Sequence, residues 1–378
     1  MNSERSCRFD EVETLEWSLI KMSKVPKFTY TNQAESKKIN DKKNSIGKID
    51  SQTWLFARKL VNVYEYPKIK NEYYASRGVV KSPVSRAYYK LWEILQDFQV
   101  NCKGDSLHLA ESPGGFIQAV VDYRNMKYLG ESSRSYTVSL NSPEGNFEVP
   151  KFHRDIYKTK NVKIFEFEGE NGGDITKIET FLNIQKELAN KKIYLVTADG
   201  GINDHGKFND KELNHVNLIF SELIQAVFVL QSGGTFIVKI FDIFSDATVN
   251  IIYLLSYLFQ NVIATKPLTS RSTNSEKYLV CTGFRKEKCD SIRNKLFKLL
   301  YCINHSDGVV VESLFQITSK KFLYKILKYN RDSLMSQQES IDKILNYIQR
   351  DKETFKSLKK SKDATIKNWL VKYRLIQV

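Results

Sequence analysis

From residue 105 onward, short apolar runs rich in β-branched and aromatic residues alternate with longer stretches whose apolar positions recur at helical spacing. That alternation limits the fold more than any other property of the chain. Strands joined through helices run parallel, and a parallel sheet must be covered on both faces. The runs are SLHLAE (106–111), YTVSL (136–140), KIFEF (163–167), KIYLVTAD (192–199), TFIVKIF (235–241), NVIAT (261–265) and KYLVCTGF (277–284). Helical stretches fall between them at about 115–125, 176–190, 209–231 and 246–260. Only KPLTSRSTNSE separates the last two runs, too little chain for a crossover helix, so that pair is expected to be antiparallel. The expectation is an α/β fold built on one mostly parallel sheet whose last strand is reversed.

Upstream, Pro83 and the recurrence of Tyr89, Leu91 or Trp92, Leu95 and Phe98 predict a helix over 83–99. Residues 1–50 are polar and basic, and KKINDKKNSIGK at 37–48 has the composition of an exposed or disordered segment. Order is expected from near Trp54, with an α/β domain and its N-terminal cover over 51–300. A basic helical appendage is expected over 301–378. Hydrophobic content of 42% and charged content of 27% are those of a globular protein. The longest apolar run, IIYLLSYLF at 251–259, reads as a buried helix, too short to cross a bilayer. The opening MNSERSCRFDEVETLEW has neither a secretory nor a transit pattern, so a cytoplasmic or nuclear location and no membrane partner are expected. The five cysteines (7, 102, 281, 289, 302) contain no C-x-x-C pair and the histidines are dispersed, so no metal is expected. A net charge of +15 attracts polyanions, nucleic acid first among them. Charge alone does not separate that from compositional drift.

Chemistry enters with ionisable residues in apolar surroundings. Lys239 interrupts an apolar strand, and Glu276 opens the next, SEKYLVC. Burying either charge costs several kcal/mol without a partner or a task. ADGG at Ala198–Gly201 ends another apolar run, and SRAYYKLWEI at Ser85–Ile94 carries a lysine on the helix upstream, so the order is Lys90, Asp199, Lys239, Glu276. The first strand of the series ends in ESPGGF, whose glycines let backbone amides approach a ligand at a helix start. The G-x-G-x-x-G and G-K-[ST] patterns of dinucleotide and triphosphate sites are missing from it.

This ordered set resembles the FtsJ/RrmJ-type 2'-O-ribose methyltransferases, which carry a K-D-K-E tetrad on a Rossmann-like sheet. It resembles more closely the cap-specific mRNA (nucleoside-2'-O-)-methyltransferases of eukaryotes and large DNA viruses. The motifs are Glu111–Phe116, Gly173–Thr176, Ala198–Gly201, Gly233–Asp242 and Lys266–Cys281, with a looser echo in the terminal NWLVKYRLI. The resemblance spans roughly residues 70–285. It implies a Rossmann-like S-adenosylmethionine-dependent methyltransferase that converts cap 0 to cap 1 on capped RNA, alongside other capping or transcription machinery. For a viral member it implies a cytoplasmic factory or the virion.

The resemblance also assigns residues. S-adenosyl-L-methionine would lie against Glu111, Ser112, Pro113, Gly114, Gly115 and Phe116, with Asp174 on the adenine amino group and Asp199 near the methyl. Helix N-capping is the other reading of Asp174. The second strand ends VSLN where many methyltransferases hold the cofactor ribose with an acid, so that contact stays unassigned between Ser139, Asn141 and another loop. Lys239 would be the base and Lys90 the neighbouring cation, with Asp199 orienting Lys239 and Glu276 fixing Lys90 and the ribose. A lysine between acids has its pKa raised, so a steering role for Lys239 stays open beside the basic one. Arg86, Lys266, Ser270 and Arg271 would meet RNA phosphates, and Trp54, Tyr64, Tyr66, Tyr73 and Tyr74 are all eligible to stack on a cap. A ribosomal or transfer RNA 2'-O-methyltransferase, and a non-catalytic RNA-binding subunit on the same fold, are the alternatives. The KPLTSRSTNSEKY run favours the cap enzymes.

Overall fold

The computed structural model describes residues 5–65, 82–128, 130, 132–141, 149–169, 172–202, 211–348 and 353–375. The chain opens with β1 (Ser6–Phe9), β2 (Trp17–Ser23), α1 (Gln33–Ile46), α2 (Ser51–Val61) and α3 (Ala87–Asp97). There follow β3 (Asp105–Leu109), α4 (Gly115–Lys127), β4 (Ser135–Val138), α5 (Arg154–Tyr157), β5 (Val162–Ile164), α6 (Ile178–Leu188) and β6 (Ile193–Ala198). The second half holds α7 (Lys211–Val229), β7 (Leu230–Ile240), α8 (Asp246–Leu258), β8 (Phe259–Thr265) and β9 (Lys277–Phe284). It ends with α9 (Lys286–Asn304), β10 (Val310–Phe315), α10 (Lys320–Ile348) and α11 (Glu353–Lys372).

Eight strands form one sheet in the order β1-β8-β9-β7-β6-β3-β4-β5. From β5 to β7 all neighbours are parallel. β9 is antiparallel to β7 and to β8, as its short connection requires. It does not lie at the edge, however. The crossover through α8 sets β8 two strand positions from β7, and β9 returns into the gap between them. The edge beside β8 goes to β1, a second reversed strand. Tyr278, Leu279, Val280 and Cys281 are fully buried in β9, so this inner strand reads as continuously apolar rather than alternating. α8 is buried almost all round for the same reason, and the Ser245 hydroxyl caps its start by accepting from the Thr248 amide at 3.3 Å.

Residues 1–50 differ from the expectation of an exposed segment: those described carry β1, β2 and α1. Phe9 is buried and packs on Phe322 and Tyr329 at 5.9 and 6.4 Å. Inside the lysine-rich run 37–48, Ile39 is buried and Lys43 lies 3.3 Å from the carboxylate of Asp242. A polar helix needs only a narrow apolar stripe to dock, and composition does not display one. The tail differs too. β10 pairs antiparallel with β2, and α10 packs on α1, α2 and β1 while α11 packs on α2. The two ends of the described chain therefore build one shared cover. Trp92 Nε1 donates to the Tyr373 carbonyl at 2.9 Å, tying the NWLVKYRLI echo to α3. All five cysteines are free thiols.

Candidate active site

The carboxyl ends of β3, β4, β5, β6 and β7 open on one rim of the sheet, the usual ligand side of an open α/β fold. Asp199 follows β6, and the register that sets Ala198 beside Val238 brings it level with Lys239. The Lys239 amine lies 3.2 Å from Asp199 Oδ1 and donates to the Asp199 carbonyl at 2.7 Å. Tyr278, directly across from Lys239 on β9, donates its hydroxyl to Asp199 Oδ1 at 3.1 Å. The Lys90 amine, from α3, sits 2.8 Å from Glu276 Oε1 and 2.9 Å from Oε2. The four residues singled out from the sequence thus form two ion pairs whose charges act on each other.

Burial alone lowers the Lys239 amine, but the charges of Asp199, Glu276 and Glu222 outweigh it and hold its pKa above the ordinary lysine value. Burial works to raise Glu276, yet Lys90, Lys239 and Lys266 keep it far below the ordinary carboxylate range. Burial, then the charges of Asp199 and Glu276, keep the Tyr278 phenol protonated.

One face of α3 carries Arg86, Lys90 and Glu93, at i, i+4 and i+7, against the loop that holds Glu276. Glu93 accepts from the Leu268 amide at 2.7 Å and from the Thr269 amide and hydroxyl at 3.2 Å, and burial pushes its carboxyl up to about 7. Sequence reasoning passed over Glu93, although its spacing from Lys90 was the available signal. Glu65, which nothing in VYEY announced, is buried and receives two guanidiniums. Arg86 Nη1 reaches it at 3.1 Å, and Arg271 Nε donates to both its oxygens at 3.1 and 3.0 Å.

These contacts alter the expected phosphate roles. Lys266 gives its three protons to Asn274 O, Asn274 Oδ1 and Glu276 O at 2.8, 2.9 and 2.7 Å, so its amine knots the loop together instead of facing out. Burial, with Lys277 nearby, lowers it to about 7. The Ser270 hydroxyl is turned inward as well, donating to Glu276 Oε1 at 2.9 Å. Arg86 and Arg271 keep one net positive charge after Glu65 is counted. Of the aromatic candidates, Trp54 packs into the cover beside Ile39, Leu334 and Ile341, and Tyr64 lies 6.2 Å from Trp369. Tyr66, Tyr73 and Tyr74 lie outside the described residues.

On the cofactor side, several assigned residues turn inward. Glu111 is buried, with Thr197 donating to Oε1 and His108 Nδ1 3.2 Å from Oε2. Burial pushes Glu111 well up and His108 well down, so both are neutral within the sheet. Phe116 is core, its ring 5.7 Å from that of Tyr278. Gly114 takes φ 109°, and a Cβ there would sit 2.5 Å from Ile156 Cγ1; at Gly115 it would sit 2.2 Å from Ser85 Oγ and 2.9 Å from Tyr88 N. Close packing on α5 and on the start of α3, more than the bulk of a ligand, demands these glycines. Ser112 and Pro113 form a half-buried turn, where the Pro113 carbonyl accepts from the His153 amide at 3.0 Å. Asp174 accepts from the Thr176 amide and hydroxyl at 2.9 and 2.7 Å, a local turn that ends before α6 begins and so does not cap it. Asn141 is spent fastening the Gly172–Asp174 loop to the end of β4: its amide donates to Gly172 O at 2.8 Å and its side chain to Phe167 O.

Glu222 was also missed. It stands buried on the apolar helix α7, where Oε1 accepts from the Gly200 amide at 3.0 Å and burial pushes it up to about 8. The rim fits S-adenosylmethionine. The first amides of α4 have no side-chain cap and suit its carboxylate, and the Asp199 carboxylate suits a sulfonium charge.

A parallel sheet with a reversed strand slotted in before its last parallel member, and lysine–acid pairs on its carboxyl rim, is the architecture of S-adenosylmethionine-dependent methyltransferases. Within that class the chain belongs to the FtsJ-like methyltransferase family, whose pattern matches residues 83–284. That family uses S-adenosylmethionine. Cap-specific mRNA (nucleoside-2'-O-)-methyltransferase 1 of Xenopus laevis is 28% identical over 353 residues, 87% of this chain and 40% of that protein. Cap-specific mRNA (nucleoside-2'-O-)-methyltransferase 2 of Pongo abelii is 28% identical over 71% of this chain and 36% of its own length. The chain therefore spans well under half the length of these relatives. Among solved structures, a putative ribosomal RNA methyltransferase of Plasmodium falciparum aligns at 25% identity and a TM-score of 0.39, covering 53% of this chain and 97% of that one. Among the described residues no helix is long and apolar enough to cross a membrane.

Proposed function

We propose that this chain methylates the ribose 2'-hydroxyl of the first transcribed nucleotide of capped mRNA, converting cap 0 to cap 1. The observation that carries the reading is the interlocked pair Lys239–Asp199 and Lys90–Glu276 at the rim. The similarity to the cap methyltransferases supports the choice of substrate. S-adenosylmethionine, when bound, supplies an electrophilic methyl on a positively charged sulfur. The chain's own task is alignment and proton management, and fixing reactants in line is worth several kcal/mol.

Lys90 and Glu276 form a rigid floor that holds the nucleotide ribose, with Ser270 locking the carboxylate. Lys239 meets the 2'-hydroxyl as an ammonium at rest, since its surrounding acids raise its pKa. In that state it steers the hydroxyl oxygen toward the methyl. A second positive charge beside Asp199 would weaken the hold of that carboxylate on Lys239 and lower its pKa, so that the ammonium releases a proton to solvent and the neutral amine takes the hydroxyl proton as the oxygen–methyl bond forms and the methyl–sulfur bond breaks. Asp174 and the α4 amides hold the cofactor, and Arg86 with Arg271 hold the first phosphates through their one surplus charge. The capped RNA is the proposed partner, in the cytoplasm or nucleus. Methyl transfer from tritiated S-adenosylmethionine, compared on capped and uncapped RNA of one sequence, tests the reading. Incorporation confined to the 2'-O of the first capped nucleotide is expected, and equal labelling of uncapped RNA would overturn it.

A further inference from the structure

An open cavity of about 490 Å³ lies beside the loop that carries Glu276, with α10 forming one wall. It shares a wall with the tetrad. Ser270 lines it while donating its hydroxyl to Glu276, and Asn62 lines it while donating to Glu65 at 2.6 Å, the carboxylate that holds Arg86 and Arg271. Arg86 precedes Lys90 by one helical turn, so the Glu65 cluster links the Lys90 side of the tetrad to Asn62 in the cavity wall. At its walls three cations, Arg5, Lys328 and Lys343, face two carboxylates, Asp332 and Glu339. Lys266 is left out of that count because its amine points inward. Along α10 the lining residues Lys328, Asp332, Ser336, Ser340 and Lys343 recur every three or four positions. They trace a line of roughly 22 Å at 1.5 Å per residue.

We infer that this cleft is the exit path of the RNA strand downstream of the methylated nucleotide, an inference that rests on the substrate reading above. Serine hydroxyls and long cationic side chains suit phosphate and sugar, and they hold a strand without reading its bases. The linear track favours an extended strand over a compact mononucleotide. α10 lies beyond residues 83–284, so the path is a device of this chain's own cover and not of the matched family core.

The test compares capped RNAs of two and twelve nucleotides. In the wild type the longer RNA should have the lower KM. In a Lys328→Glu/Lys343→Glu chain the KM for the 12-mer should rise about tenfold, bringing the long-to-short ratio toward one. Its log–log salt dependence on long RNA should flatten by about 1.4, two contacts at about 0.7 each. Lys328→Gln/Lys343→Gln should fall between the two. An unchanged ratio and slope would overturn the inference, and so would an equal KM rise on both lengths, because the lysines would then act on the tetrad or the fold. Filter binding of an uncapped 12-mer gives the same slope without turnover. Failure of methyl transfer in the wild type, with the slope change intact, would therefore sink the catalytic reading and leave the path standing.

Discussion

Lys239 is held between three acids, which makes it a cation first and a base only when that grip loosens. Lys239→Ala is expected to lower kcat by roughly 10²–10⁴, the span of general acid–base effects, while calorimetric cofactor affinity stays within a few-fold. Turnover near the wild-type rate at saturating substrates would remove Lys239 from the chemistry. Glu222 makes a separate prediction. Its folded pKa, about 8, lies above the ordinary glutamate value of 4.5, so its contribution to stability is full below about pH 4.5 and is lost as pH rises through about 8. Glu222→Gln keeps an acceptor for the Gly200 amide and has no proton to lose. Its melting temperature should decline less than that of the wild type between pH 6 and 9. Matching declines would place the titrating proton on another acid.

The elements show why some of this was legible in the sequence and some was not. Lys90, Asp199, Lys239 and Glu276 stood out because a charge in an apolar run has few structural excuses, and the parallel pairing of β6 with β7 had to bring Asp199 and Lys239 to one rim. Glu65, Glu93 and Glu222 did not stand out: each is defined by what it meets across the fold, which spacing along the chain does not encode. The glycine loop was visible as a loop, but its reason was hidden. At Gly115 even one methyl would meet Ser85 Oγ at 2.2 Å, so Gly115→Ala should push the start of α3 away and carry Lys90 with it. The expected result is a lower melting temperature and a loss of turnover larger than any loss of cofactor affinity. A variant that binds the cofactor poorly while its melting and turnover at saturation match the wild type would return the glycine to the ligand. β1, β2 and β10 escaped because four to seven residues under a mixed polar pattern give too short a period to detect.

At the scale of the whole molecule, Asp242 joins the cover to the catalytic sheet. It lies 3.2 Å from Lys277, which adjoins Glu276, and 3.3 Å from Lys43 of α1. Burial would raise its carboxyl, but Lys277 and Lys43 hold it at about 2. A carboxylate with its pKa lowered stabilises the fold above its unfolded value and loses that contribution as pH falls through the folded one. The wild type should therefore lose about 2 kcal/mol between pH 4 and 2 from this group, at 1.36 kcal/mol per pKa unit. Asp242→Asn should be destabilised at pH 7 by about 3–5 kcal/mol, having left Lys277 buried without its carboxylate, and should lack that acid limb. Denaturant unfolding at pH 7, 4 and 2 reads both effects, and parallel curves for the two chains would show that the latch carries no free energy.

The pairing of β1 with β8 sets Phe9 against Val262. During synthesis the first strand leaves the ribosome roughly 250 residues before its partner, a wait on the order of tens of seconds at about 5–20 residues per second. Throughout that interval its backbone amides and carbonyls have no native mate, and β2 waits longer still for β10. The nascent chain thus carries two open strand edges until β8 and β10 have been made, which is the condition under which unpaired strands invite edge-to-edge association.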